Sequence, residues 1–367
     1  MGLTAGIVGL PNVGKSTLFN AITKSGVLAA NYPFATIDPN VGVVEVPDAR
    51  FDNLVALVKP KKAIPSIFEF TDIAGIVKGA SKGEGLGNKF LSHIREVDAI
   101  VQVVRAFDDP NVTHVDGTVD PVRDIETINI ELIFADLEVV EKRLPKIEKK
   151  AVLKVDKECV YEYKLLKIIQ ETLLDYKPIR SINFNKDEQK SIKHFNFLTN
   201  KPMLYVANIP EDEIADYGDN DYVKKIETFA TKEGSEMVVI SAKIEAELSE
   251  LDTEEKNEFL EDLGVTDSGL NQLITKSYFL LGLETYFTAG PQEVRAWTFR
   301  KGFKAPQCAG IIHTDFEKGF IRAETIKYKD YAIYKSEQAA KEAGKMRLEG
   351  KEYIVQDGDV MHFLFNV

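Results

Sequence analysis

The stretch Gly9-Leu10-Pro11-Asn12-Val13-Gly14-Lys15-Ser16 decides how this 367-residue chain is read. It matches the spacing G-x-x-x-x-G-K-[ST], with Thr17 next. The apolar run Ala5-Gly6-Ile7-Val8 before it reads as a buried strand, and Leu18-Phe19-Asn20-Ala21-Ile22 after it as a helix. A strand, a glycine turn and a helix in that order curl backbone N–H groups around phosphate oxygens. Asn12, Val13, Gly14, Ser16 and Thr17 then form the cradle, the Lys15 ammonium lies on the β and γ phosphates, and the Ser16 hydroxyl ligates Mg²⁺.

Three further stations follow in the order a nucleotide switch requires. Asp72-Ile73-Ala74-Gly75 comes after the apolar run Ile67–Phe70, so Asp72 can hold the Mg²⁺ shell while the Gly75 N–H faces the γ phosphate. Thr36, in Tyr32-Pro33-Phe34-Ala35-Thr36-Ile37, is placed to close over the metal. Ser241-Ala242-Lys243 follows Val238-Val239-Ile240 and is read as the loop that backs the base. Between them, Asn208-Ile209-Pro210-Glu211 stands where a guanine reader carries Asn-Lys-x-Asp. That Asp takes both N1–H and the 2-amino group of guanine, and the Lys stem covers the ring. With Ile209 for Lys and a longer Glu211 for Asp, guanine loses its bidentate partner, on the order of 2 to 4 kcal/mol if the groups stay buried and unpaired. Adenine has neither N–H and loses little. Asn208 can accept from its N6 amino group and donate to N7, so the tetrapeptide reads adenine, or discriminates neither purine strictly.

Around these motifs, Ala99–Val104, Met203–Ala207 and Met237–Ile240 add apolar runs separated by helical patterns, the grammar of a doubly wound α/β fold with a parallel sheet. From about residue 124 to 195, Leu132, Leu137, Val140, Leu144 and then Tyr163, Leu166, Ile169, Leu173 recur at helical spacing, predicting two long antiparallel helices, the first kinked or ended by Pro145. From 281 short β-rich segments take over, among them Glu293–Phe299 and Phe320–Ile326, closing on a strand pair, Tyr353–Val355 and Val360–Phe365, around Asp357-Gly358. The expected division is therefore 1–123 with 196–280 for the nucleotide domain, 124–195 for a helical insertion and 281–367 for a small α+β module.

Composition bounds the rest. A formal charge of −12 argues against a protein that coats nucleic acid through its overall field. The acidic run Glu245 to Glu255 reads as a solvated helix face. Cys159 and Cys308 lack metal or redox spacing and read as free buried thiols. No stretch has the length and apolarity of a membrane helix and no signal peptide is evident, so the expectation is a cytoplasmic monomer.

With these motifs in place, and with "NYPFATIDPNVGVV", "DIAGIVKGASKGEGLGNKFL", "TYFTAGPQEVRAWTF", "IHTDFEKGFIRAE" and "GKEYIVQDGDVMHF" over essentially the whole chain, the sequence resembles the YchF / Obg-like ATPase family of P-loop GTPases. The resemblance implies a G domain, a coiled-coil insertion and a C-terminal ubiquitin-like TGS module, hydrolysis of ATP in preference to GTP, and the ribosome as partner. Basic residues in the insertion (Lys146, Lys149, Lys150, Lys154, Lys157) and in the C-terminal module (Arg295, Arg300, Lys301, Lys304, Lys318, Arg322) fit a contact with ribosomal RNA phosphates.

Hydrolysis raises its own question, because Ile76 stands where Ras-like enzymes carry the water-positioning Gln. One substitute is His114, a position matching that of the family's catalytic His, and a surface loop histidine with structural contacts is the equal alternative. The other is a K⁺ ion at Asn12, by analogy with other aliphatic-substituted GTPases. The glycine-dense 78–87 segment reads as a mobile switch loop. Three functions stay open at this point: an Mg²⁺-dependent ATP-preferring switch on the ribosome, a GTP-specific translation or assembly factor, and an RNA-binding protein with a nearly silent nucleotide site.

Overall fold

The computed structural model describes residues 3–26, 40–75, 86–115 and 117–366. Along the chain come β1 (Thr4–Gly9), α1 (Lys15–Ser25), β2 (Val41–Glu45), α2 (Ala49–Val58), β3 (Lys62–Ile64), β4 (Ile67–Asp72), α3 (Leu86–Glu96) and β5 (Ala99–Arg105). The helical stretch α4 (Pro121–Val152), α5 (Lys157–Leu174) and α6 (Lys186–Ile192) leads to β6 (Met203–Asn208), α7 (Asp221–Glu233), β7 (Glu236–Ile240), α8 (Ala242–Leu248), α9 (Thr253–Asp262) and α10 (Gly269–Leu280). The rest is β8 (Leu283–Ala289), β9 (Glu293–Arg300), α11 (Ala305–Ile312), α12 (Thr314–Lys318), β10 (Phe320–Lys327), α13 (Tyr328–Tyr334), α14 (Glu337–Glu342), β11 (Arg347–Glu349) and β12 (Asp359–Phe365). Two compact units result: Met1–Val43 with Glu69–Leu273, and Val44–Phe68 with Ile274–Val367.

The first unit is built on a sheet of order β2-β4-β1-β5-β6-β7, in which β1 pairs parallel with β4 and β5, β5 with β6, and β6 with β7. Every residue of β5 and β6 is buried, as strands covered by helices on both faces must be, which is why these runs are apolar without alternation. β1 is flanked by β4 on one side and β5 on the other, so the crevice beyond its carboxyl end is the topological switch point where α/β sheets take ligands.

The two expected long helices are α4 and α5, packed through Val140, Leu144, Ile147, Leu165, Leu166 and Ile169. The Arg143 guanidinium grips both Glu162 carboxylate oxygens, at 2.6 and 2.9 Å. Pro145 does not end α4, which continues seven residues further to Val152. Proline forfeits the bond to the carbonyl four residues back and crowds that carbonyl, and the apolar seam with α5 carries the helix through. At the root of the pair, buried Asp136 accepts from Leu198 N, Thr199 N and Thr199 Oγ1 at 2.7 to 2.9 Å. Burial nevertheless pushes its carboxyl up to about 6, against the pull of those donors.

The second unit has sheet order β11-β10-β12-β8-β9-β3. Alternation along β9 divides its side chains: Val294 and Ala296 join Phe51 and Leu54 of α2 and Tyr331 of α13, whereas Phe299 and partly buried Trp297 join Cys308 and Ala309 of α11. The closing segment departs from the expected hairpin. Residues 353–355 do not pair with β12; Val355 N donates to Phe303 O and Ala305 N to Tyr353 O instead. The Asp357-Gly358 turn is real, with Gly358 at φ 85°, but its carboxylate accepts from Thr285 N at 2.9 Å and from Arg50 at 2.7 Å. These bonds direct the turn to β8 and α2, and β12 pairs with β10 and β8.

Candidate nucleotide site

The phosphate loop leaves β1 at Gly9 and enters α1 at Lys15. Gly14 is the hinge, at φ 92°, a left-handed conformation that only glycine adopts without strain. A Cβ there would also fall 2.2 Å from Asn208 Nδ2. No side chain caps α1, so its first N–H groups are left for an anion. Ser16 and Thr17 are exposed on that turn, and Val13 is buried beneath it. Lys15 is ion-paired with Asp72 at the carboxyl end of β4, so the two groups expected to meet the triphosphate and its metal already lie together.

Asn208, at the end of β6, is 5% exposed and spends its carboxamide on protein partners. Nδ2 donates to Val13 O at 2.9 Å, and Oδ1 accepts from Ala242 N at 2.9 Å. Asn208 thereby fastens the phosphate loop to the Ser241-Ala242-Lys243 loop, with one amide hydrogen and one oxygen lone pair beyond these two bonds. Ile209 is buried, with its N–H on Ile240 O at 2.9 Å. Ser241 is buried, and its hydroxyl has no hydrogen-bond partner among the described residues. Glu211 does not stand alone either; its carboxylate accepts from Lys243 Nζ at 2.6 and 2.8 Å, an exposed pair that raises the Lys243 ammonium through the bond to Glu211.

Asn12 adopts φ 63° and donates from Nδ2 to Thr113 O at 3.1 Å, which sets His114 beside the phosphate loop. His114 is not a surface histidine. It is buried, and its Nε2 lies 2.9 Å from Asp124 Oδ2 in the first turn of α4. A carboxylate at Nε2 favours the tautomer protonated there and puts the basic lone pair on Nδ1. The loop itself is wound on Arg105, the last residue of β5, whose guanidinium donates to the carbonyls of Phe107, Val112 and Asp109. Sequence reasoning passed over Arg105 and Asp124. The signal was a lone Arg ending an otherwise apolar buried run. Thr36, Ile76 and most of the glycine-dense segment lie outside the described residues.

The acidic run after Lys243 is only partly a solvated face. Glu247, Glu250, Glu254 and Glu255 are exposed, but Glu245 is buried on α8 and accepts from Gly269 N, the first residue of α10, at 2.8 Å. Burial pushes its carboxyl up to about 7, although the Leu270 and Gly269 N–H bonds pull the other way. Cys308 is buried and Cys159 half-buried, and both are free thiols.

A magnesium ion fits the donors present. Ser16 and Asp72 offer the hard oxygens Mg²⁺ prefers, and a metal shared with a triphosphate needs no more than one or two protein ligands. No larger His, Cys, Asp or Glu cluster that could hold a metal gathers among the described residues. No helix among them is long and apolar enough to cross a membrane.

Residues 4–142 match the family model of the "50S ribosome-binding GTPase" domain, and residues 283–366 match that of the YchF-GTPase C-terminal domain, described as a protein of unknown function. Over all 367 residues, and over the whole of each relative, the chain is 65% identical to the "Ribosome-binding ATPase YchF" of Bacillus subtilis and 54% identical to the protein of that name from Escherichia coli O157:H7. A solved structure of the Schizosaccharomyces pombe YchF GTPase superposes with a TM-score of 0.89 at 44% identity, covering 99% of this chain and 97% of that one.

Proposed function

The chain belongs to the YchF family, and on that premise we propose that it is a Mg²⁺-dependent ATPase, preferring ATP to GTP, that works as a cytoplasmic nucleotide switch on the ribosome. Its full-length bacterial relatives are named ribosome-binding ATPases. The observation that carries the preference is the Glu211–Lys243 pair. The one carboxylate available to take guanine's N1–H and 2-amino group is held by an ammonium. Asn208, the other polar side chain of the tetrapeptide, is used between the two loops. Guanine would have to break the pair; adenine makes no such demand. Its N6 amino group can be met by a main-chain carbonyl such as that of Ile209, whose N–H is spent on Ile240 O, which supports adenine reading by shape and main chain.

In this reading the Gly14 turn and the α1 N-terminus bind the triphosphate, and Lys15 leaves Asp72 for the β and γ phosphates. Asp72 and Ser16, with Thr36, would then hold the metal. Mg²⁺, when bound, neutralises charge on the phosphates. His114, held by Asp124, orients the attacking water in place of the missing Gln. The alternative K⁺ site at Asn12 takes second place to an imidazole that is already buried and fixed by a carboxylate. Residues 124–195 act as the coiled-coil arm and 281–367, joined by 44–68, as the TGS module, while the rest of 1–123 with 196–280 acts as the G domain.

A GTP-driven factor is the second reading, favoured by the match of 4–142 to a GTPase model and by the description of the fission yeast protein as a GTPase. Titration of nucleotide-free protein with non-hydrolysable ATP and GTP analogues in Mg²⁺ buffer separates the two. Tighter ATP binding is expected, shifting at least about tenfold toward GTP when Glu211→Asp and Ile209→Lys are combined. Tighter GTP binding by the unaltered chain would sink the ATPase reading.

A further inference from the structure

The tip of the α4–α5 hairpin presents apolar side chains that the fold does not use. Val152, Leu153 and Val155 are 66%, 64% and 76% exposed. They are not displayed on a frayed end. Leu153 N donates to Lys149 O, Lys154 N to Ala151 O and Val155 N to Lys150 O, with Lys154 in the left-handed region at φ 53°. Across the turn, Asp156 caps α5 by accepting from Glu158 N and Cys159 N, at 2.9 and 3.3 Å. Both helix ends are thus closed, and three aliphatic groups are held outward on a fixed turn.

Charge narrows what could cover them. Lys149, Lys150, Lys154 and Lys157 flank and interrupt the apolar run in sequence and are all exposed, on a chain whose net charge is −12. Between Lys149 and Lys157 the single acidic residue, Asp156, is committed to its cap; Glu148 and Glu158 flank the run, and Glu148 accepts from Tyr163 Oη. An RNA backbone would answer the lysines but offers nothing to valine and leucine, and the nearest exposed ring, Tyr161, lies a turn into α5, outside the apolar run. An acidic protein surface with an apolar groove answers both.

Building on the ribosomal reading above, we propose that the α4–α5 tip is a docking element for an acidic protein surface of the ribosome, seating Val152, Leu153 and Val155 in an apolar groove with the four lysines on its rim. The lysines steer the encounter and the aliphatic side chains hold the complex.

The test compares the full chain with a Val152→Ser/Leu153→Ser/Val155→Ser variant and a variant carrying Gln at the four lysines. Each is measured by co-sedimentation with purified bacterial 70S ribosomes and with protein-free ribosomal RNA, in the presence of a non-hydrolysable ATP analogue. Because every altered side chain is exposed, circular dichroism and melting temperature should stay near wild type. The serine variant is expected to bind ribosomes at least tenfold more weakly, and a photocrosslinker at Leu153 to label a ribosomal protein of acidic isoelectric point. Undiminished binding by the serine variant overturns the docking proposal alone. Equal affinity of the wild type for protein-free RNA, lost only with the lysines, overturns it in favour of an RNA contact. A wild-type chain that does not sediment with ribosomes removes the ribosomal reading and this inference with it.

Discussion

Asn208 has one carboxamide and holds two loops with it. Replacing it by Ala leaves Val13 O and Ala242 N buried without their partner, at a cost of about 1 to 3 kcal/mol. Because both loops loosen, affinity for ATP and GTP should fall together. Thermal unfolding and parallel titrations check this, and a loss confined to ATP would mean that Asn208 reads the base after all. His114 makes a different claim. If it orients water, His114→Ala should lower single-turnover hydrolysis by about 10²-fold or more while nucleotide affinity holds. A parallel fall in affinity would reduce His114 to a brace for its loop. At this scale the sequence was legible where spacing along the chain defines the group, as in Lys15, Ser16 and Asp72. It was silent where a partner comes from far away: Glu211 and Lys243 are 32 residues apart, and Asn208 and Val13 are 195 apart.

Helix α8 carries its base loop at one end and buried Glu245 within its first turn. Because burial raises this carboxyl from its ordinary 4.5 to about 7, the folded chain keeps a proton that the unfolded chain has released. Stability should therefore fall as pH climbs from about 4.5 to 7 and level off above. Glu245→Gln removes that slope: near equality with wild type at pH 4 and a gain on the order of 1 to 3 kcal/mol at pH 8, read by denaturant titration at each pH. A parallel pH dependence in both proteins would show that Glu245 titrates like an exposed carboxylate. Among elements, buried parallel strands announced themselves because both faces are apolar. Glu245 did not, since a carboxylate that caps another helix looks in sequence like any other member of an acidic run. Likewise Asp357-Gly358 carries the composition of a hairpin turn, and only the bonds from Arg50 and Thr285 assign it elsewhere.

At the scale of the molecule, the sequence divided the chain near 281 but did not detach Val44–Phe68 from the nucleotide domain. Nothing local marks that segment; its allegiance is set by β3 pairing with β9 and by Phe51 and Leu54 packing on Phe287, Val294 and Val360. A fragment of residues 281–367 should consequently lack a cooperative melting transition and bind a hydrophobic dye. Supplying 44–68 ahead of it through a flexible linker should restore the transition; a sharp transition in the bare fragment would contradict this. The same arrangement has a consequence for birth order. A chain made from its amino end releases Phe51 and Leu54 early, and must then translate through Val360 before their partner strands all exist, an interval of roughly 15 to 60 s at ribosomal elongation rates. For that time an apolar helix waits without the strands it packs against, so the nascent protein should be a client of chaperones that guard exposed hydrophobic segments, and slowed elongation should lower its soluble yield.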